Sequence, residues 1–141
     1  MADPKKYKTF SRSSELAVKI SGDSQAELFA NSGFALFDIM TQMDKVQDNE
    51  HLTLEVEGAD RDDLMVNWMR ELLYLYQGSS FLLKEVVVQE VKDTYIRGEV
   101  QGEKFDPDRH EMKREISAVS PQQGRMEKTG SQWTAQVILE L

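Results

Sequence analysis

HLTLEVEGADRDDLMVNWMRELLYLYQG, residues His51–Gly78, changes its periodicity half-way along, and that change decides the fold. From His51 to Glu57 the apolar Leu52, Leu54 and Val56 alternate with polar residues, the period of two expected of a half-buried strand. Gly58 breaks the pattern. Asp60 is placed to cap a helix, with Asp62 and Asp63 in a first turn where negative charge complements the exposed N–H groups. Leu64, Trp68, Leu72 and Leu75 then recur at helical spacing, and Gly78 ends the element.

The same two periods extend outward in both directions. Tyr7 to Ile20 reads as two short strands flanking the polar patch Ser11–Glu15, with Leu16, Val18 and Ile20 alternating. Ser24 followed by Glu27 fits a capping box that opens a first helix. Its stripe of Phe29, Leu36, Phe37, Met40 and Met43 carries it to about Met43, and Gly33 allows close approach of a neighbour. Beyond the second helix, strands are predicted at Phe81–Val91, Thr94–Gln101, Lys113–Val119, Gly124–Lys128 and Gln132–Leu139. Thr129-Gly130-Ser131 forms a hairpin turn between the last two. The expected architecture is α+β, a single domain over residues 1–141 with two amphipathic helices packed on a largely antiparallel β-sheet.

Composition removes several function classes. The chain has no cysteine, so disulfides, thiolate metal sites and thiol nucleophiles are excluded. No apolar run approaches the ~20 residues of a membrane span, and the start MADPKKYKTF has no apolar signal core, so a cytoplasmic location is expected. Net charge is −8, and Lys104, Arg109, Lys113 and Arg114 are each interleaved with acids. Direct nucleic-acid binding is therefore not expected, and any partner should be a protein.

Carboxylates are the abundant ligand type. The stretch GEKFDPDRHE, Gly102–Glu111, crowds charged side chains around Pro107 and reads as a solvent-facing loop with a solvated His110. Asp106 and Asp108 resemble the start of a calcium loop, but the glycine and glutamate that complete one are missing. His51 opens a strand and reads as a surface histidine. Glu15, before a strand, and Glu140 with the Leu141 carboxylate, at the end of another, would make a hard-cation site if the sheet brought them together. The plainer alternative is a solvated Glu140 and an apolar anchor at Leu141. A hydrolase built on Glu15, Asp106, Asp108, His110 and Glu140 would need those groups in one cleft.

The order of motifs resembles the archease family over nearly the whole chain. LFANSGFALFDIMTQMDKV, DLMVNWMRELLYLY, GEKFDPDRHE, KREI at 113–116 and the ending VILEL at 137–141 follow in the family's sequence. The resemblance implies a non-enzymatic, chaperone-like accessory protein that aids an RNA ligase in tRNA splicing and RNA repair. It also implies a calcium or magnesium site at an acidic tip. The family's His-Thr-Ala-Asp motif falls on Arg12-Ser13-Ser14-Glu15, its strand lysine on Ser117, its Thr-Tyr-His on Ser120-Pro121-Gln122, and its C-terminal Asp-Ile on Glu140-Leu141. The resemblance therefore assigns the metal to Glu15, Glu140 and Leu141, each aspartate lengthened by a methylene. The alternative to a metal there is Arg12, standing where the family has histidine, as a fixed positive charge that substitutes for the cation by pairing with Glu15.

Overall fold

A computed structural model describes residues 6–121 and 125–141. Strands β1 (Tyr7–Arg12) and β2 (Glu15–Gly22) lead into helix α1 (Gln25–Met40), a short 3-10 turn at Met43–Lys45, and strand β3 (Glu50–Glu57). Helix α2 (Arg61–Ser79) is followed by β4 (Phe81–Lys92), β5 (Tyr95–Lys104), the two-residue β6 (Ala118–Val119), β7 (Arg125–Thr129) and β8 (Gln132–Glu140). Every pairing is antiparallel, but the strands form two sheets where the sequence suggests one. In the five-stranded sheet β1, β2 and β8 run in order, and β6 and β7 share the far side of β8. The three-stranded sheet has the order β3-β5-β4.

The helices form as their caps dictate. Ser24 Oγ accepts from Glu27 N at 3.0 Å, and Asp60 Oδ1 from Asp63 N at 2.8 Å, each satisfying a free N–H of a first turn. Asp62 does more than complement the helix end, because its Oδ1 accepts from Met126 N at 2.8 Å and ties β7 to α2. Phe29, Leu36, Phe37, Met40 and Met43 are all buried, as are Leu64, Trp68 and Leu72. Trp68 meets Phe29 edge-on, with ring centroids 6.2 Å apart, and its Nε1 donates to the Phe29 carbonyl at 3.1 Å. A Cβ at Gly33 would sit 3.1–3.2 Å from Leu83, Leu72 and Val86, so the close approach expected there is real.

Several boundaries move. Strand β5 runs past Gln101 to Lys104, so Gly102, Glu103 and Lys104 belong to the ladder and not to the expected loop. The long α1 stripe is interrupted after Met40, and Met43 belongs to the separate 3-10 turn. Helix α2 runs through Gly78 to Ser79 and ends at Ser80 in the left-handed region (φ 58°). The strand expected at Lys113–Val119 shrinks to Ala118–Val119, because Lys113 N donates to Met40 O at 2.7 Å and Ser117 N to Glu140 O at 2.8 Å, outside any ladder. The hairpin between β7 and β8 stands as expected, with Gly130 at φ 63°; Gly124, the expected start of β7, lies outside the described residues.

Candidate functional site

The β1–β2 hairpin turns on Ser13 and Ser14, with Arg12 and Glu15 facing each other across it. Ser13 takes φ 41°, a left-handed conformation that favours glycine and strains a residue with a Cβ. On the other side of β2, Glu15 lies directly opposite Glu140 in β8, and Glu140 opposite Ala118 in β6. Leu141 N donates to Ser14 O at 2.9 Å, so residue 141 is laced to the same turn. The sheet therefore gathers Glu15, Glu140 and Leu141 from the two ends of the chain.

Ser117 joins them. Its N–H donates to the Glu140 carbonyl at 2.8 Å and its hydroxyl to the same oxygen at 3.0 Å. The last turn of α2 holds this segment from behind, with Gln77 Nε2 donating to Ser117 O at 2.9 Å and to Ile116 O at 3.4 Å. The result is a solvent-facing end of the five-stranded sheet at which two carboxylates stand side by side. Like charges directly opposite on a sheet repel, and a cation between them relieves that repulsion. The arginine does not supply it: Arg12 is in register with Glu15 but forms no ion pair with it. Oxygen donors of this kind suit calcium or magnesium. Among the described residues, however, no three His, Asp or Glu side chains stand close enough to hold a metal, so the side chains provide two carboxylates and no more.

The charged loop after β5 is organised differently from its sequence. Glu103 and His110 are buried, at 4 % and 5 % exposure. Glu103 Oε2 accepts from Gln47 N at 2.8 Å, from Arg109 Nη1 at 3.1 Å and from His110 Nε2 at 3.0 Å. Its Oε1 accepts from Arg109 Nη2 and from Asn49 Nδ2 at 3.3 Å. The Arg109 guanidinium pulls the Glu103 carboxyl down to about 2 against the opposing effect of burial, with the Gln47 N–H and His110 assisting. His110 Nδ1 accepts from Asp106 N at 2.8 Å, so the ring is the neutral Nε2–H tautomer and donates to Glu103. His110 is thus a structural clasp, where the sequence reads as a solvated side chain. The desolvation that argues against buried charge is offset here by a full set of donors around one carboxylate.

With its ring nitrogens occupied, His110 has no free base to offer. Glu15 and Glu140 belong to the sheet end, whereas Asp106 and Asp108 belong to the clasp, where Asp106 Oδ1 accepts from Asp108 N at 2.9 Å. The constellation needed for a hydrolase is not assembled. Sequence reasoning missed Glu103, a residue at the end of β5 that anchors the loop; its one signal was an acid three residues after the β5 valine, flanked by glycine in a strand. His51 is exposed as expected, 3.1 Å from Asp48 O.

The model of the Archease protein family (MTH1598/TM1083) matches residues 7–141. The chain belongs to the archease family. It is 30% identical over 141 residues to the protein archease of Pyrococcus furiosus, covering 97% of this chain and 99% of that one. To the protein archease of Methanopyrus kandleri it is 28% identical over 138 residues, 96% of this chain and 99% of the relative. The archease-family fold is shared with the solution structure of Methanobacterium thermoautotrophicum protein 1598, at TM-score 0.81 and 26% identity over 97% of this chain and 99% of that one. A Thermotoga maritima crystal structure, described as an archease and possible chaperone, shares the fold at TM-score 0.63 and 15% identity, covering 100% of this chain and 98% of that one. The α+β architecture of two helices on antiparallel sheets is that of these neighbours. Among the described residues no helix is long and apolar enough to cross a membrane.

Proposed function

We propose that this archease-family protein is a non-catalytic accessory factor of an RNA ligase in tRNA splicing and RNA repair, acting by protein–protein contact at the end of the five-stranded sheet. The observation that carries this reading is the meeting of Glu15, Glu140, Leu141 and Ser117, the positions onto which the resemblance puts the family's functional residues. Calcium or magnesium would be held by Glu15 and Glu140 beside Leu141, with water completing the oxygen shell. Two carboxylates place such a site in the weak range, at a Kd of about 10⁻⁴–10⁻³ M. Calorimetric titration with calcium should show heats in that range, abolished by Glu15→Ala; a flat titration of the intact protein refutes the metal part. A multiple-turnover ligation assay with the RNA ligase of the same genome tests the rest. Stimulation that Glu15→Ala with Glu140→Ala removes is expected, and no stimulation by the intact protein refutes it.

A second reading rests on Ser117. Its hydroxyl satisfies the Glu140 carbonyl in a neutral latch at the position where the resemblance puts a lysine, and serine has neither the charge nor the reach of that residue. A protein-binding module that has kept the fold and lost ligase activation fits this latch. Ser117→Lys separates the two: a gain in ligase stimulation favours the diverged module.

A further inference from the structure

The net charge of −8 is unevenly spread over the two sheets. On the outer face of the three-stranded sheet, Glu55 is in register with Arg97, and Arg97 with Glu90; Thr53 is in register with Glu99 and Glu57 with Tyr95. The cations there are neutralised, with Arg97 3.5 Å and Lys92 3.1 Å from Glu90. The five-stranded sheet is the reverse. Leu16, Val18, Ile20, Ala135, Val137 and Leu139 fill its buried face, which leaves the alternate residues pointing away from the helices.

Register then assembles a cationic row across four strands. Lys8 in β1 faces Lys19 in β2, Lys19 faces Gln136 in β8, and Gln136 faces Arg125 in β7. Neighbouring strands are about 4.8 Å apart, so the row spans about 14 Å. Lys8, Lys19 and Arg125 are exposed, and none forms an ion pair with a described carboxylate. Lys19 stands where two shallow grooves meet, one of about 380 Å³ shared with Arg125, Gln136 and Glu127 and one of about 730 Å³ shared with Lys8, Lys6, Asp23 and Glu27. One register step along β1, Phe10 is 55% exposed on the same face, between Lys8 and Arg12. Its neighbours across β2 and β8, Ala17 and Ile138, share that face but are buried, so Phe10 is the one large exposed apolar side chain among the described strand residues of this sheet.

We propose that this outer sheet face binds single-stranded nucleic acid, with Lys8, Lys19 and Arg125 on phosphates and Phe10 stacked on a base. Unpaired cations in a groove beside an exposed ring are the pairing that such strands require, since phosphates supply charge and every base a π-face. A protein contact of comparable strength draws on several exposed apolar side chains, whereas the described strand residues of this face expose one ring. The inference does not rest on the ligase reading and is tested without any ligase. It also departs from the expectation of no direct nucleic-acid contact, because these cations are adjacent only through strand pairing.

Fluorescence anisotropy with a labelled oligouridine of about 12 nucleotides, titrated between about 50 and 300 mM salt, tests it. The logarithm of the binding constant should fall against that of salt with a slope of about −2, since three phosphate contacts contribute ~0.7 each on a single strand. Lys19→Gln or Arg125→Gln should flatten the slope by ~0.7, and Lys19→Arg should restore it. Phe10→Ala should weaken binding about 5- to 100-fold at every salt concentration with the slope unchanged. Lys92→Gln on the opposite sheet should have no effect. No binding at the lowest salt, a slope indifferent to Lys19→Gln, or an acidic peptide of equal charge competing as well as the RNA would each overturn the proposal.

Discussion

Replacing Glu103 by glutamine tests whether the buried clasp is an ionic device. The substitution keeps size and shape but exchanges one acceptor oxygen for a donor amide. If the remaining oxygen takes the Oε2 position, it retains Gln47 N, Arg109 Nη1 and His110 Nε2. The new amide then faces the Arg109 Nη2 and Asn49 Nδ2 donors and bonds neither, unless the Asn49 side chain turns over. A lost bond to a charged donor costs about 1.5–3 kcal/mol and a neutral one about 1 kcal/mol. Because the Arg109 side chain is 41% exposed, solvent screening brings its share to the lower end. The expected loss is about 2–3 kcal/mol, or roughly 6–12 °C in Tm for a chain of this size.

The pH dependence follows from the lowered Glu103 carboxyl. Its folded value of about 2 lies below the ordinary glutamate value of about 4.3 in an unfolded chain. The stabilisation is complete above the unfolded value and is lost as pH falls toward 2. Urea unfolding of wild type and Glu103→Gln should therefore show a gap of about 2–3 kcal/mol at pH 7 that narrows steadily from about pH 5 toward pH 3. Equal midpoints at pH 7, or a gap that stays constant on acidification, would refute the ionic clasp.

Two further substitutions probe the backbone. Ser13→Gly removes the cost of a left-handed non-glycine residue at the β1–β2 turn, and should raise stability by about 0.5–1 kcal/mol in urea unfolding; a lower midpoint would show that the hairpin is not strained there. Gly102→Ala places a Cβ 1.9 Å from the Leu82 carbonyl oxygen within the β4–β5 ladder, so a loss of more than about 3 kcal/mol or failure to accumulate in folded form is expected. Native circular dichroism with an unchanged melting temperature would contradict that.

The α+β class, both helix caps, the apolar stripes and most strands follow from the sequence, because each rests on groups within a turn or on alternation along one segment. The Ser24 and Asp60 caps act over three residues, and Leu16, Val18 and Ile20 declare their shared face without reference to any other strand. The family resemblance likewise pointed to Glu15 and Glu140, although only register shows them side by side.

What the tertiary structure decided is the solvation of charged groups. GEKFDPDRHE reads as exposed because charges avoid burial, yet Glu103 is buried by donors from Gln47 and Asn49, more than fifty positions away in the chain. The basic row is the same lesson in reverse. Lys19 and Arg125 are each diluted by acids or neutral residues in sequence and Lys8 stands in a basic run distant from both, and the three meet only because antiparallel pairing lines them up across four strands. A charge's free energy depends on everything within a few ångströms of it, and a sequence lists only the neighbours along one of the three dimensions in which that environment is built.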